Sequence, residues 1–293
     1  DTPALFSLMN HADIALGTWY PMGGMGSLVE GLHRIAVEQG VRFHNNVTVT
    51  RIQVKNGRST GVETAVGFFP AEVVVATADY HHVEQHLLAE EYRSYSASYW
   101  DDRKLAPATL LFFVGIDRRL PGLLHHTLFF DASLDEHSAD IYTKQGWPRD
   151  PLFYVSCTSR TDPGTAPEGM ENVVVLIPIA SGAEDTTELR EHYFEVVMDR
   201  LARYLGFDLR PHVRVRRDHC IKDMEREHHA YKGNAYGLAN TLTQTGPLRP
   251  RVKSRKVKGL YFAGQLSIPG PGVPPALISG QVVADLIRSE QRP

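Results

Sequence analysis

The sequence predicts an α/β fold that holds a second, α+β unit in its middle, and three patterns carry that expectation. Residues 26–39 set Leu28, Val29, Leu32, Ile35, Ala36 and Val37 at helical spacing directly after a glycine-rich turn, Pro21 to Gly26. Residues 41–77 are then rich in β-branched side chains and are interrupted by Asn56-Gly57, a dipeptide that favours a two-residue hairpin because both positions tolerate positive φ. Near the end, Gly259-Leu260-Tyr261-Phe262-Ala263-Gly264 reads as a buried strand. It runs into a Pro/Gly loop and a helix over about 275–289, on which Ile278, Val282, Val283 and Leu286 keep a helical period.

Within 41–77 the expected strands are Val41 to His44, Val47 to Ile52, Gly61 to Val66 and Glu72 to Thr77. The middle, roughly 95–250, offers strands at 108–116, 152–158 and 172–180 and one long helix, Thr187 to Leu205. Loops such as Asp162-Pro163-Gly164 and Pro167-Glu168-Gly169 separate them, which suits a second layered unit.

A chain of 293 residues with 42% apolar side chains can bury a sizeable core. Its 31 basic and 34 acidic residues leave a net charge of −3, so no overall field attracts nucleic acid, and none is expected as a partner. Cys157 and Cys220 form neither a CxxC pair nor a disulfide framework, which fits a reducing, cytoplasmic setting. The longest apolar runs, Leu110 to Val114 and Val173 to Ile177, are strand-sized and too short for a membrane span. The opening Asp1-Thr2-Pro3 has neither an initiating Met nor a signal pattern, and is read as a cut through a longer protein.

The stretch from Gly264 to Gly280, GQLSIPGPGVPPALISG, is the most informative. Its glycines let backbone approach a flat ligand closely, and prolines at a helix start fix φ without wasting a hydrogen bond. A helix beginning at Pro275 would aim the positive end of its dipole at whatever sits in the loop, and a reduced flavin is negative near its N1–C2=O edge. The same pattern also describes a plain Pro/Gly connection ahead of a surface helix.

Three ordered segments, about a third of the chain, carry a more specific message. Tyr261-Phe262-Ala263-Gly264 with the following loop and helix to Leu286 resembles the C-terminal flavin signature of the phytoene desaturase family of FAD-dependent oxidoreductases. Gly17 to Leu28, GTWYPMGGMGSL, resembles its internal glycine turn, and Ala230 to Gln244 with Leu248-Arg249-Pro250 resembles a third family segment. The resemblance implies part of an FAD/NAD(P)-binding flavoprotein fold with an inserted α+β substrate domain. It implies FAD as cofactor, with Val49 near the adenine side and Ala78 and Asp79 near the pyrophosphate. Gly264, Gln265, Gly272, Val273 and Pro274 would follow the isoalloxazine and ribityl chain. Val49 equally suits an ordinary strand residue, and Asp79 precedes a helical pattern that it would cap.

The activity implied is dehydrogenation of phytoene or a related carotenoid. Alternatives are a carotenoid isomerase or retinoid saturase of the same family, or a non-catalytic lipid-binding fragment. The family's G-x-G-x-x-G turn is not found: Gly24 to Val29 lacks the third glycine and Gly270 to Pro275 ends in proline. The chain alone is therefore expected to bind FAD weakly and to be inactive. No residue stands out as a catalytic base. G-x-S-x-G, H-E-x-x-H and Walker A patterns are not found either.

Other signals point less sharply. His82 and His86 stand four apart, a metal-capable spacing on one helix face, but no third ligand is suggested nearby and no metal is expected. His125-His126 and His228-His229 are adjacent pairs and read as surface or loop residues. The run Arg249, Arg251, Lys253, Arg255, Lys256, Lys258 reads either as a solvated connection or as a contact for lipid phosphates. Trp19, Tyr20 and Tyr231 are the candidates for lining a polyene channel, and aromatic residues at such positions are as often plain core.

The expected organisation is residues 1–19 as a remnant of the substrate region, 20–95 and 251–293 as the two parts of the FAD-binding unit, and 96–250 as the substrate-binding unit. A lipid-dissolved carotenoid implies peripheral contact with a membrane from the cytoplasmic side. Oligomeric state is not legible.

Overall fold

The computed structural model describes residues 3–291. In chain order the elements are α1 (Ser7–His11), α2 (Met25–Glu38), β1 (Val49–Lys55), β2 (Arg58–Thr64), β3 (Gly67–Pro70), β4 (Val74–Ala76), α3 (Tyr80–His82), α4 (Ala97–Asp101), β5 (Ala108–Ile116), β6 (His126–Phe129), α5 (Leu134–Tyr142), β7 (Phe153–Ser156), β8 (Glu171–Ile179), α6 (Thr187–Leu205), β9 (Val213–His219), α7 (Ile221–His228), β10 (Leu260–Phe262) and α8 (Val273–Gln291). They divide into two compact units. One is built from 44–106 and from 224 onward, the other from 5–43 and 107–223.

The first unit contains an antiparallel sheet, β1-β2-β3, and a parallel pair, β10-β4. Asn56 and Gly57 both take positive φ (52° and 69°), as a two-residue hairpin between β1 and β2 requires, because a primed turn matches the twist of its strands. In the parallel pair Leu260, Tyr261 and Phe262 stand beside Val74, Val75 and Ala76. Leu260 and Phe262 are buried with Tyr80, Val83, Trp100 and Leu266 in one apolar cluster, so burial as well as hydrogen bonding holds the two strands in register.

The second unit is a five-stranded antiparallel sheet in the order β6-β7-β8-β5-β9. Along β8, Glu171, Val173, Val175, Ile177 and Ile179 are buried and the residues between them are partly exposed, the alternation of a sheet covered on one face. The long helix α6 supplies Tyr193, Phe194, Val197, Met198 and Leu201 to the same core, a 3.6-residue stripe. Thr186 caps it by accepting from the Leu189 N–H at 3.2 Å, and Gly206 ends it in the left-handed region, φ 80°. Truncating Leu201 to alanine would cost about 2–5 kcal/mol through lost contact and the cavity left behind.

The helix over 25–38, the hairpin, β5 and α6 stand where the residue patterns put them. Residues 41–48 do not form the expected strands, and β1 begins only at Val49. Asn46 there takes φ 56°, a left-handed turn that interrupts extended backbone. Strands β6 and β9 and helices α5 and α7 were not anticipated.

The unit boundaries also lie elsewhere than 95/96 and 250/251. Residues 96–106 and 224–250 belong with the first unit because they bond into it: Ala106 N–H donates to Gly237 O at 2.8 Å, Lys104 N–H to Gln244 Oε1 at 3.0 Å, and Tyr231 N–H to the Asp79 carboxylate at 3.2 Å. Residues 20–43 belong with the second unit, where Gly23 N–H donates to the buried Asp162 carboxylate at 2.7 Å.

Candidate functional site

Parallel strands β4 and β10 end side by side, at Ala76 and Phe262, and the chain leaves both at the same edge. Ligands of parallel α/β sheets bind beyond this carboxyl edge, where loops diverge and backbone groups are unpaired. A cavity of about 580 Å³ opens there in the first unit, lined by Met224 and by residues 77–80, 227–230, 234–235 and 262–267.

On the β4 side, Asp79 caps α3. Its carboxylate accepts from the His82 N–H at 3.0 Å and from the Tyr231 N–H at 3.2 Å. Burial pushes this carboxyl above its ordinary value, against those donors, which pull it down. Both oxygens are thus engaged by backbone of this unit, and Ala78 beside it presents only main chain and a methyl group to the cavity.

On the β10 side, Gly264 leaves the strand at φ 117°. Its N–H donates to Ser279 Oγ at 2.9 Å, and Ser279 is wholly buried on α8. Ser267 folds the loop back, donating to Gly264 O through both N–H (3.1 Å) and hydroxyl (2.9 Å). The loop ends at Gly272, φ 114°, and α8 starts at Val273 with Pro274 and Pro275 in its first turn, where their missing N–H groups cost nothing.

Between the two sides stands Asn234, 1% exposed. Its Oδ1 accepts from Gly237 N–H (2.7 Å) and Gln265 Nε2 (3.3 Å), and its Nδ2 donates to Tyr231 O (2.7 Å). The ring of the lining residue His229 stacks on that of His82 at 4.0 Å, 6° from parallel. Burial, followed by the charge of His229, lowers the His82 pKa to about 4.

Of the residues expected from the sequence, Ala78, Asp79, Gly264 and Gln265 line this cavity. Gly272, Val273 and Pro274 lie at the start of α8, outside its lining. Val49 opens β1 opposite Thr64 in the antiparallel sheet. Tyr231 is next to the lining residue Ala230, with its ring on His81 (3.9 Å) and its hydroxyl donating to Asp101 (2.6 Å). Trp19 and Tyr20 belong to the second unit, where Trp19 is 88% exposed and Tyr20 meets His125 edge-on at 4.6 Å.

The sequence reading missed Asn234, His228 and His229 as cavity residues. Asn234 lay inside a segment already singled out, but no local pattern aims its amide at Gln265, thirty-one residues away. The basic run also divides: Arg249 is 2% exposed, whereas Arg251, Arg255, Lys256 and Lys258 are exposed. Arg249 therefore belongs to neither a solvated connection nor a lipid contact.

A cavity at the carboxyl edge, bordered by glycine backbone at positive φ, suits a flat ligand. The unpartnered Nε of buried Arg249 adds an orphaned cationic donor to the loop, which suits a ligand carrying negative charge. A flavin has both properties.

The chain is 41% identical to the carotenoid 3,4-desaturase of Haloarcula japonica over 98% of its own length, and 32% identical to the zeta-carotene-forming phytoene desaturase of Myxococcus xanthus over 97%. It spans only 58% and 55% of those two proteins. An oxidoreductase from Methanosarcina mazei shares the fold, with a TM-score of 0.67 and 16% identity over 96% of this chain and 58% of that one. With residues 1–288 matching it, the chain belongs to the flavin containing amine oxidoreductase family.

Proposed function

We propose that this chain supplies the flavin-ring side of an FAD site and the substrate unit of a carotenoid desaturase, acting on phytoene or a related polyene. The observation that carries the reading is the cavity at the carboxyl edge of β4 and β10, closed on one side by the glycine loop from Gly264. The names of the two curated relatives support the substrate class.

When bound, FAD supplies the hydride acceptor for a substrate that loses a hydride from one carbon and a proton from its neighbour, leaving a double bond. The backbone of Gly264 to Ser267 would hold the ring edge, and the N-terminus of α8, at the end of the same loop, would add favourable dipole charge for an anionic ring. Main chain at Ala78 and Asp79 would hold the pyrophosphate, and Val49 would serve the adenine side. Residues 44–106 with those from 224 onward form the cofactor unit, and 107–223 with 5–43 the substrate unit. Tyr231, next to the lining residue Ala230, would contact the polyene.

A carotenoid resides in lipid, and no helix among the described residues is long and apolar enough to cross a membrane. The exposed Arg251, Arg255, Lys256 and Lys258 give the protein a peripheral hold on anionic headgroups. Incubating the complete protein with FAD and phytoene in liposomes tests the reading through growth of polyene absorbance. Absence of new long-wavelength bands with phytoene and with its more desaturated relatives would refute it.

A further inference from the structure

Arg249 is 2% exposed, and among the described residues no carboxylate pairs with it. Its Nη2 donates to Leu238 O at 3.1 Å and to Asn240 Oδ1 at 2.7 Å, and its Nη1 donates to Gln265 O at 3.3 Å. All three acceptors are neutral, and its Nε is buried with no acceptor at all. A guanidinium taken out of water keeps its charge, since arginine does not deprotonate in proteins, and such burial is costly without an anion to compensate it.

The position of the charge is specific. A Cβ on Gly270 would come within 3.2 Å of the Arg249 Cζ and 3.3 Å of its Nη2. The bare backbone of Gly270 therefore rests against the guanidinium, and the carbonyl of Gln265 is bonded to it. Gln265 and Gly270 are both part of the loop between β10 and α8. Arg249 also ties that loop to the segment holding Leu238 and Asn240, so one side chain fixes the loop and charges it.

We propose that Arg249 positions the loop from Gly264 to Pro275 and is the fixed counter-charge for the negative charge of a reduced flavin ring seated along it. This inference rests on the flavin reading above. The contacts with Gln265 and Gly270 favour the ring over the pyrophosphate, which that reading assigns to Ala78 and Asp79. A cation at fixed distance stabilises the reduced, anionic form more than the oxidised, neutral one, and so raises the tendency of the flavin to accept hydride.

Two variants of the complete, flavin-loaded protein test this. Asn240→Asp sets a carboxylate at the 2.7 Å contact and neutralises the charge while the arginine stays in place, and Arg249→Gln removes the charge. Each is expected to lower the preference for reduced over oxidised flavin about tenfold, read as a midpoint potential about 30 mV more negative for a two-electron couple. Arg249→Lys is expected to recover at least half of the shift. If Arg249→Gln does not fold, Asn240→Asp decides alone. An unmoved potential overturns the proposal, and so does an equal loss of affinity for oxidised and reduced FAD, which would assign the charge to the pyrophosphate. Gly272→Val separates the two readings: flavin retained there would sink the loop assignment itself, whereas flavin lost there with an unmoved potential in Asn240→Asp would sink only the role of Arg249.

Discussion

Tyr80 lies flat on Phe262, with ring centroids 3.7 Å apart and planes 8° from parallel. Tyr80 opens the helix after β4 and Phe262 is the last residue of β10, so the stack joins the two strand ends at the rim of the cavity. Trp100, fully buried, closes the cluster at 5.6 Å from Tyr80. Phe262→Ala is expected to cost about 3–5 kcal/mol, seen in urea unfolding, and in the complete protein to abolish flavin retention. Tyr80→Phe loses only the hydroxyl bond to Arg251 O, 3.0 Å, at about 1 kcal/mol, and should keep the flavin.

Glu84 is fully buried, and its carboxylate accepts from the N–H groups of Ser94 (2.8 Å) and Tyr95 (3.1 Å). Burial outweighs those donors and raises its pKa from 4.5 to about 7. A folded pKa above the unfolded one means the folded state holds the proton more tightly. The contribution is complete below about pH 4.5 and is lost as pH rises through about 7, by roughly 3 kcal/mol at most. His81 and His82, both lowered to about 4, act in the opposite sense: their stabilisation is present above pH 6.5 and fades toward 4. The stability difference between Glu84→Gln and wild type isolates the glutamate. The variant should gain relative to wild type between pH 5 and 8, and a constant difference across that range would refute the shift.

Gly272→Val tests the loop without touching the core. The residue has φ 114°, and a side chain would meet the Pro275 ring at 3.3 Å. In the complete protein, flavin content and turnover should fall while the circular dichroism spectrum persists. Gly259→Ala provides the contrast, since its Cβ would strike Glu72 O at 2.2 Å and break the pairing of β10 with β4. That variant should lose folding cooperativity as well as flavin.

Asp162, buried in the second unit, accepts from Gly23 N–H at 2.7 Å and from the Tyr20 hydroxyl at 3.4 Å. Asp162→Ala should destabilise that unit by about 1–3 kcal/mol, because the Gly23 N–H loses its acceptor. Tyr20→Phe gives up only the longer bond and should change stability by less than about 1 kcal/mol.

Replacing Arg251, Arg255, Lys256 and Lys258 together by glutamine should weaken sedimentation with anionic liposomes by about 1 kcal/mol for each charge that touches the surface. Added salt should have the same effect on wild type. Equal binding of variant and wild type would remove this face as the lipid contact.

Local pattern in the sequence was enough wherever an element's own residues decide its state. The strand-sized apolar run of β5, the 3.6-residue stripe of α6, Asn56-Gly57 and the Gly264 to Pro275 loop each state their conformation through side-chain pattern and backbone tolerance. The flavin resemblance rested on the same kind of short, contiguous signal. Partners distant in sequence could not be read that way. Asp79 meeting Tyr231, Asn234 meeting Gln265, and Arg249 against Gly270 are contacts between segments brought together by the fold. A basic run looks uniform along the chain, but burial is a property of what packs around each residue. Only the tertiary structure could therefore separate the one enclosed charge from its solvated neighbours.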